Sequence, residues 1–305
     1  MKLEVSRRHF IATGAAALAA ALETRPARAE TLPPVCVFSK HFQHLDYEAL
    51  AAMAKGAGVD GIDLTVREGG HVSPASVTED LPRAVAAIRA AGLDVPMITT
   101  NLKSGADPDA APILAAAAEL GIPYFRAGGH KYSGEGDPLE EAKAFTEDLR
   151  TLAALAEQHG MTAGYHNHSG GDNFGAPVWD LLRALESVDS THLGSNFDLG
   201  HATAEGAYGD WAITARALAP RVKMLAVKDF TFERDKPRWV PLGDGVVRMA
   251  EYFRIFHERA AFAGPISIHF EYGEFNRASD DEKVAQLAAA VKVVRRELDK
   301  AGYAA

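Results

Sequence analysis

The chain has 305 residues, 47% of them hydrophobic, enough for one large domain or two small ones. Its formal charge of −9 argues against the basic stripe that a nucleic-acid partner requires. Its single cysteine, Cys36, excludes an intrachain disulfide and a cysteine-based metal cluster.

Residues 1–29 have the layout of an export segment. The pair Arg7-Arg8 precedes the Ala-rich apolar run from Ala12 to Leu22, and Ala27-Arg28-Ala29 supplies an A-x-A cleavage pattern. This order resembles a Tat signal, so the mature domain is expected to be 30–305 and its location periplasmic. No other apolar run approaches the roughly 18–20 residues of a membrane span.

From residue 34 onward a β-type run and a helical run alternate. Strands are expected from Val35 to Ser39, Gly61 to Val66, Val95 to Thr100, Pro123 to Arg126, Thr162 to His168, Leu193 to Asp198, Val222 to Phe230 and Pro265 to Glu271. Helical spacing fills the intervals. The first helix is expected from Asp46, suited to cap it, to Ala57, and the last runs from Asp280 to Ala301. Strict alternation requires parallel strands joined by crossovers, and eight such units fit a (β/α)8 TIM barrel, whose usual size is about 250 residues. The runner-up is a doubly wound open sheet. No G-x-G-x-x-G follows the first strand and no G-x-x-x-x-G-K-[ST] occurs, so that alternative lacks its nucleotide-binding loop.

Polar side chains gather at the C-terminal ends of these strands, where a barrel carries its chemistry. In Tyr165-His-Asn-His168 the two imidazoles of His166 and His168 share a face, because strand side chains alternate with period 2. Asp198 ends the sixth strand and His201 follows it in D-x-x-H; the competing reading of Asp198 is a helix cap. Lys228 on the seventh strand needs a carboxylate or a substrate oxygen nearby if buried. On the last strand Ser267, His269 and Glu271 alternate against Ile266, Ile268 and Phe270. Lys40, His71, Asn101, Arg126, Asn167 and Asp229 are candidate substrate contacts. Further polar residues after successive strands are His41, Asp63, His130 and Asp244.

Asp198-Leu-Gly-His201, Val227-Lys-Asp229, Gly243-Asp-Gly245 and Gly264-Pro-Ile-Ser-Ile268 together resemble the sugar phosphate isomerase/epimerase superfamily, the xylose isomerase-like TIM barrels, over about residues 34–300. The segments Tyr165-His-Asn-His-Ser-Gly170 and His269-Phe-Glu-Tyr272 resemble an exported, Tat-signalled subgroup. The resemblance implies a divalent metal (Mn, Zn, Co or Mg) whose four ligand positions fall on His166, Asp198, Ala226 and His269. Only Asp198 keeps the family's residue, and Ala226 has no ligand atom. Metal binding by His166, Asp198 and His269 is therefore expected, with Glu271, Lys228, His201 and His168 left for the chemistry.

The expected activity is proton transfer next to the carbonyl of a sugar or keto-sugar, as isomerase or epimerase. Two alternatives stay open: a keto-glycoside lyase or hydrolase working by β-elimination, and a non-catalytic sugar-binding barrel. The expected partner is a small carbohydrate, and a homo-oligomer is compatible with the sequence.

Overall fold

A computed structural model describes residues 32–303 apart from Asp235, so the export segment lies outside the described residues. In chain order the barrel staves and their helices are β1 (Val35–Phe38), α1 (Tyr47–Ala57), β2 (Gly61–Thr65), α2 (Val77–Ala90), β3 (Asp94–Thr99), α3 (Ala110–Glu119), β4 (Tyr124–Arg126), α4 (Pro138–Gln158) and β5 (Thr162–His166). There follow α5 (Trp179–Val188), β6 (Leu193–Asp198), α6 (Leu199–Glu205), α7 (Trp211–Leu218), β7 (Val222–Val227), β8 (Asp229–Glu233), β9 (Lys236–Val240), α8 (Met249–Ala260), β10 (Ile266–Ile268), α9 (Gly273–Arg277) and α10 (Asp280–Lys300).

Staves β1 to β7 and β10 close into a barrel in which every neighbouring pair is parallel, and β1 meets β10 through Val35–Ile266, Cys36–Ser267 and Val37–Ile268. The expected (β/α)8 TIM barrel is the observed fold. Local chemistry sets the helix limits. The Asp46 carboxylate accepts the Ala49 N–H to start α1, and Gly58, at φ 82°, ends it in a left-handed turn that glycine adopts without a Cβ clash. Ser279 and Glu282 form a reciprocal capping box at the start of α10. Leu50 and Ala54 of α1, Leu81, Val85 and Ile88 of α2, and Leu287, Val291 and Val294 of α10 are fully or almost fully buried. Their i, i+3, i+4 spacing marks the apolar stripes of these helices.

The strand ends differ from expectation in three places. β5 stops at His166, β7 at Val227 and β10 at Ile268. Asn167 holds the Asp198 N–H through Oδ1 at 2.8 Å and the Asp198 carbonyl through Nδ2 at 3.2 Å. Residue Asp229 opens not a continuation of the seventh stave but an antiparallel hairpin of β8 and β9, paired from Asp229–Val240 to Glu233–Lys236. This hairpin, absent from the strand pattern expected above, stands at the mouth of the barrel and carries Trp239 into it.

Candidate active site

A cup of about 280 Å³ lies at the C-terminal ends of the staves, lined by Phe38, Lys40, Arg67, Arg126, His166, His168, His201, Lys228, Trp239, His269 and Glu271. A larger depression of about 700 Å³ lies on the outer side near Arg248 and Arg296 and gathers no imidazoles.

Asp198, wholly buried at the end of β6, does two things. Its Oδ1 accepts the His201 N–H at 2.8 Å and so caps α6. Its Oδ2 faces the barrel axis, 3.4 Å from His166 Nε2 and 3.2 Å from Lys228 Nζ, neither in hydrogen-bond geometry. The cap thus uses one oxygen of this carboxylate and leaves the other without a hydrogen-bond partner.

Lys228 is 4% exposed, so its ammonium depends on partners inside the cup. Nζ lies 2.6 Å from His201 Nε2, 4.0 Å from Glu271 Oε1 and 4.6 Å from the centre of the Trp239 ring. An ammonium only donates, so His201 Nε2 accepts, and His201 Nδ1 carries the hydrogen that goes to Ser169 Oγ at 2.8 Å. Gly200 makes this packing fit: a Cβ there would lie 2.7 Å from Lys228 Cγ and 3.1 Å from the Trp239 ring. Glu271 is 31% exposed and is the one carboxylate among the residues lining the cup.

The imidazoles are held neutral. Burial pushes His166 and His269 well below the usual histidine range, helped by Arg126 and Lys228. Burial followed by Arg126 lowers His168 to about 3, and burial followed by Lys228 lowers His201 to about 2. The rings also pack together: His269 stacks on Phe38 at 4.5 Å and on His166 at 5.7 Å. Beneath the cup, Asp63 accepts from Thr99 and Ser267 at 2.7 Å each, and burial raises its carboxyl to about 6.

Two groups of side chains bring ligand atoms within 4.8 Å of one another: His166, Asp198 and His269, and His166, His168 and His201. The first fits a cation. Its imidazoles are neutral, and Asp198 Oδ2, His166 Nδ1 and His269 Nε2 are buried without a hydrogen-bond partner. The second does not fit. His168 Nε2 takes the Arg126 guanidinium at 3.3 Å, and both nitrogens of His201 are engaged. Ala226 pairs with Asp198 in the β6–β7 register and offers only a methyl.

The structure thus brings together His166, His168, Asp198, His201, Lys228, His269 and Glu271, with Lys40 and Arg126 at the rim. It places four expected contacts elsewhere. Asp229 spends both oxygens on backbone, accepting from Phe230, Val247, Gly243 and Gly245, so it fixes the loop after the hairpin instead of reaching substrate. A Cβ at Gly245 would meet Asp229 Oδ1 at 2.1 Å, which explains the glycine in Gly243-Asp-Gly245. Asn167 is the clasp between β5 and β6. His71 has both ring nitrogens within bonding distance of Ser39, Thr65 and the Phe42 carbonyl, and Asn101 is exposed outside the cup.

Arg67, Trp239 and Phe38 line the cup and were not expected there. Arg67 was within reach of the period-2 rule, since Asp63, Thr65 and Arg67 fall on one face of β2 extended. Trp239 is not, because it lies on β9, outside the strands expected from the sequence, and only Asp229 and Phe230 of its hairpin fall within the expected seventh strand.

The sequence matches the family described as the xylose isomerase-like TIM barrel over residues 51–296. Among solved structures, the chain is similar to a xylose isomerase domain protein from Planctomyces limnophilus, at 20% identity and TM-score 0.66 over 90% of this chain and 100% of that one. It is similar to a xylose isomerase-like TIM barrel protein from Mycobacterium smegmatis in complex with magnesium, at 17% identity and TM-score 0.67 over 88% and 97%. A third similar structure is 3-keto-D-glucoside 4-epimerase from E. coli, at 14% identity and TM-score 0.66 over 87% and 99%. No curated protein sequence matches the chain.

Proposed function

The chain belongs to the xylose isomerase-like TIM barrel family, and from that premise we propose that it moves a proton next to the carbonyl of a sugar or keto-sugar, as an isomerase or epimerase-like enzyme. The observation that carries this reading is the placing of Glu271 beside Lys228: a carboxylate open to the cup, 4.0 Å from an ammonium buried in its wall. Glu271 takes the proton from the carbon adjacent to the carbonyl. Lys228 has three N–H donors and one hydrogen-bonded acceptor, His201 Nε2, while Asp198 Oδ2 is a charge contact at 3.2 Å outside hydrogen-bond geometry, so N–H groups remain for the substrate oxygen on which charge develops. His201, fixed by Ser169, holds Lys228 in place. Burial lowers His168 to about 3 and His201 to about 2, so these imidazoles stay neutral beside Lys228.

His166, Asp198 and His269 are the residues that would hold a divalent ion, which when bound supplies Lewis-acid polarisation of the carbonyl. Two imidazoles and one carboxylate suit a later first-row metal better than magnesium, which prefers oxygen ligands. Protein purified without chelator is expected to carry about one equivalent of such an ion, and His269→Ala to lose it. Equal metal content in the two proteins would remove the ion from the account.

A second reading follows from the single carboxylate in the cup. One base suffices for a proton that leaves and returns on the same face, or for elimination, but two-base epimerisation needs a second group on the opposite face. The named activity of the E. coli relative makes a 3-keto-glycoside the apt probe. Incubated in D2O, it is expected to gain deuterium beside the carbonyl. Release of the aglycone assigns elimination, and neither deuterium uptake nor release leaves the sugar-binding reading.

Export is part of the proposal. Arg7-Arg8, the apolar run and Ala27-Arg28-Ala29 support it, and a periplasmic product starting near Glu30 is the expected outcome of fractionation and N-terminal sequencing. Among the described residues no helix is long and apolar enough to cross a membrane.

A further inference from the structure

The charges on the cup are unbalanced. Its lining holds four cations, Lys40, Arg67, Arg126 and Lys228, against one carboxylate, Glu271, although the chain as a whole is at −9. Lys228 is matched by Asp198. The other three have no carboxylate partner among the described residues. The Arg67 guanidinium makes no hydrogen bond or ion pair among the described residues, and its central carbon sits 5.6 Å from the centre of the Phe38 ring. Arg126 lies 5.9 Å from the same ring and meets only His168 Nε2. Two partly buried guanidinium groups therefore converge on one aromatic ring.

Such an arrangement is costly for folding alone. Burying a charge without a partner is unfavourable, two like charges at one ring repel, and cation–π contact offsets part of this. Asp63, the nearest carboxylate below them, has its oxygens engaged by Thr99 and Ser267. Guanidinium groups match carboxylates and phosphates through paired N–H donors. Neutral sugar hydroxyls accept single guanidinium N–H bonds but bring neither the opposing charge nor the paired acceptors of a carboxylate or phosphate.

We propose that Arg67 and Arg126, with Lys40 at the rim, bind an anionic group on the substrate, a carboxylate or a phosphate, so that the sugar handled by this cup is an acidic one. The inference rests on the proton-transfer reading for its choice of sugar probes, but not for the anion preference itself. The anion lies on the Arg67–Arg126 wall and directs the carbonyl end of the sugar toward Lys228 and Glu271.

Isothermal titration of the mature protein at low salt with D-glucose, D-glucuronate and D-glucose 6-phosphate tests this. At least one anionic probe is expected to bind tenfold or more tightly than D-glucose, since a hydrogen bond to a charged group is worth about tenfold to a hundredfold. Preference for glucuronate identifies a carboxylate, and preference for the phosphate ester identifies a phosphate. Arg67→Met and Arg126→Met are each expected to reduce the anionic-to-neutral ratio about tenfold. Arg67→Lys is expected to fall between wild type and Arg67→Met, and Arg295→Met, outside the cup, to leave the ratio alone. Anionic and neutral probes within about twofold of each other, no binding of either anion, or an unchanged ratio in both Met variants overturns the proposal. Deuterium uptake by a neutral keto-glycoside without anion preference would sink this inference and leave the proton-transfer reading standing. Anion preference without deuterium uptake by any keto-sugar would do the reverse.

Discussion

On the side of the cup formed by β6 and β7, every strong charge has a partner: Lys228 lies 3.2 Å from Asp198 and 2.6 Å from His201, and His201 continues to Ser169. On the side formed by β2 and β4, Arg67 and Arg126 face Phe38 without an ion pair among the described residues, and the oxygens of Asp63 below them go to Thr99 and Ser267. The two walls belong to one barrel and share one cup, yet one is self-contained and the other is incomplete. A self-contained wall has its geometry set before substrate arrives, which suits groups that must act on a reacting atom. An incomplete wall gains its partner only from outside, which suits recognition.

The largest effect of breaking this contrast is expected on the paired side. Lys228→Met removes the ammonium that pairs with a wholly buried carboxylate, and should destabilise the fold by about 3–5 kcal/mol in urea denaturation. Adding Asp198→Asn should recover much of that loss, because the two residues form one unit. A cycle in which the two losses simply add would show that the pair is not coupled.

Acid is expected to act next. The folded-state values of His166, His168, His201 and His269 lie below the usual 6.5, so the unfolded chain takes up protons that the folded chain refuses once the pH falls below that value. Their contribution to stability is present above pH 6.5 and is lost as the pH falls toward about 3 for His168 and about 2 for His201. In chelator, urea stability should drop between pH 7 and pH 5, by about 1–2 kcal/mol per imidazole. Asp63 works the other way: its carboxyl, raised to about 6, favours the fold as the pH falls from 6 to 4. Asp63→Asn should therefore steepen the loss on acidification. A flat profile between pH 7 and pH 5 would contradict the neutral, buried imidazoles.

On the unpaired side the sign reverses. Arg126→Met takes away a partly buried charge without a carboxylate partner, and should leave stability unchanged or raise it by about 1 kcal/mol in thermal melts. A loss as large as that of Lys228→Met would erase the difference between the walls.

How far the sequence foretold this depends on the kind of contact. The barrel was legible because alternating β and helical runs force parallel crossovers, and Ser267, His269 and Glu271 were legible because period 2 directs them to one face. Which atoms would be consumed locally was not legible. Asp229, Asn167 and His71 stand at strand ends like the site residues, but backbone amides and neighbouring hydroxyls take their polar atoms. The hairpin was hidden because Asp229 and Phe230 continue the β pattern of the seventh stave, while their pairing with Trp239 and Val240 leaves the barrel.

The proton itself gives the most direct test. With a 3-keto-glycoside in D2O, the rate of deuterium appearance beside the carbonyl should fall about 10²–10⁴-fold in Glu271→Gln relative to the wild-type protein. An equal rate in the two proteins would contradict the assignment of Glu271 as the base and, with it, the account of this cup as a proton-transfer site.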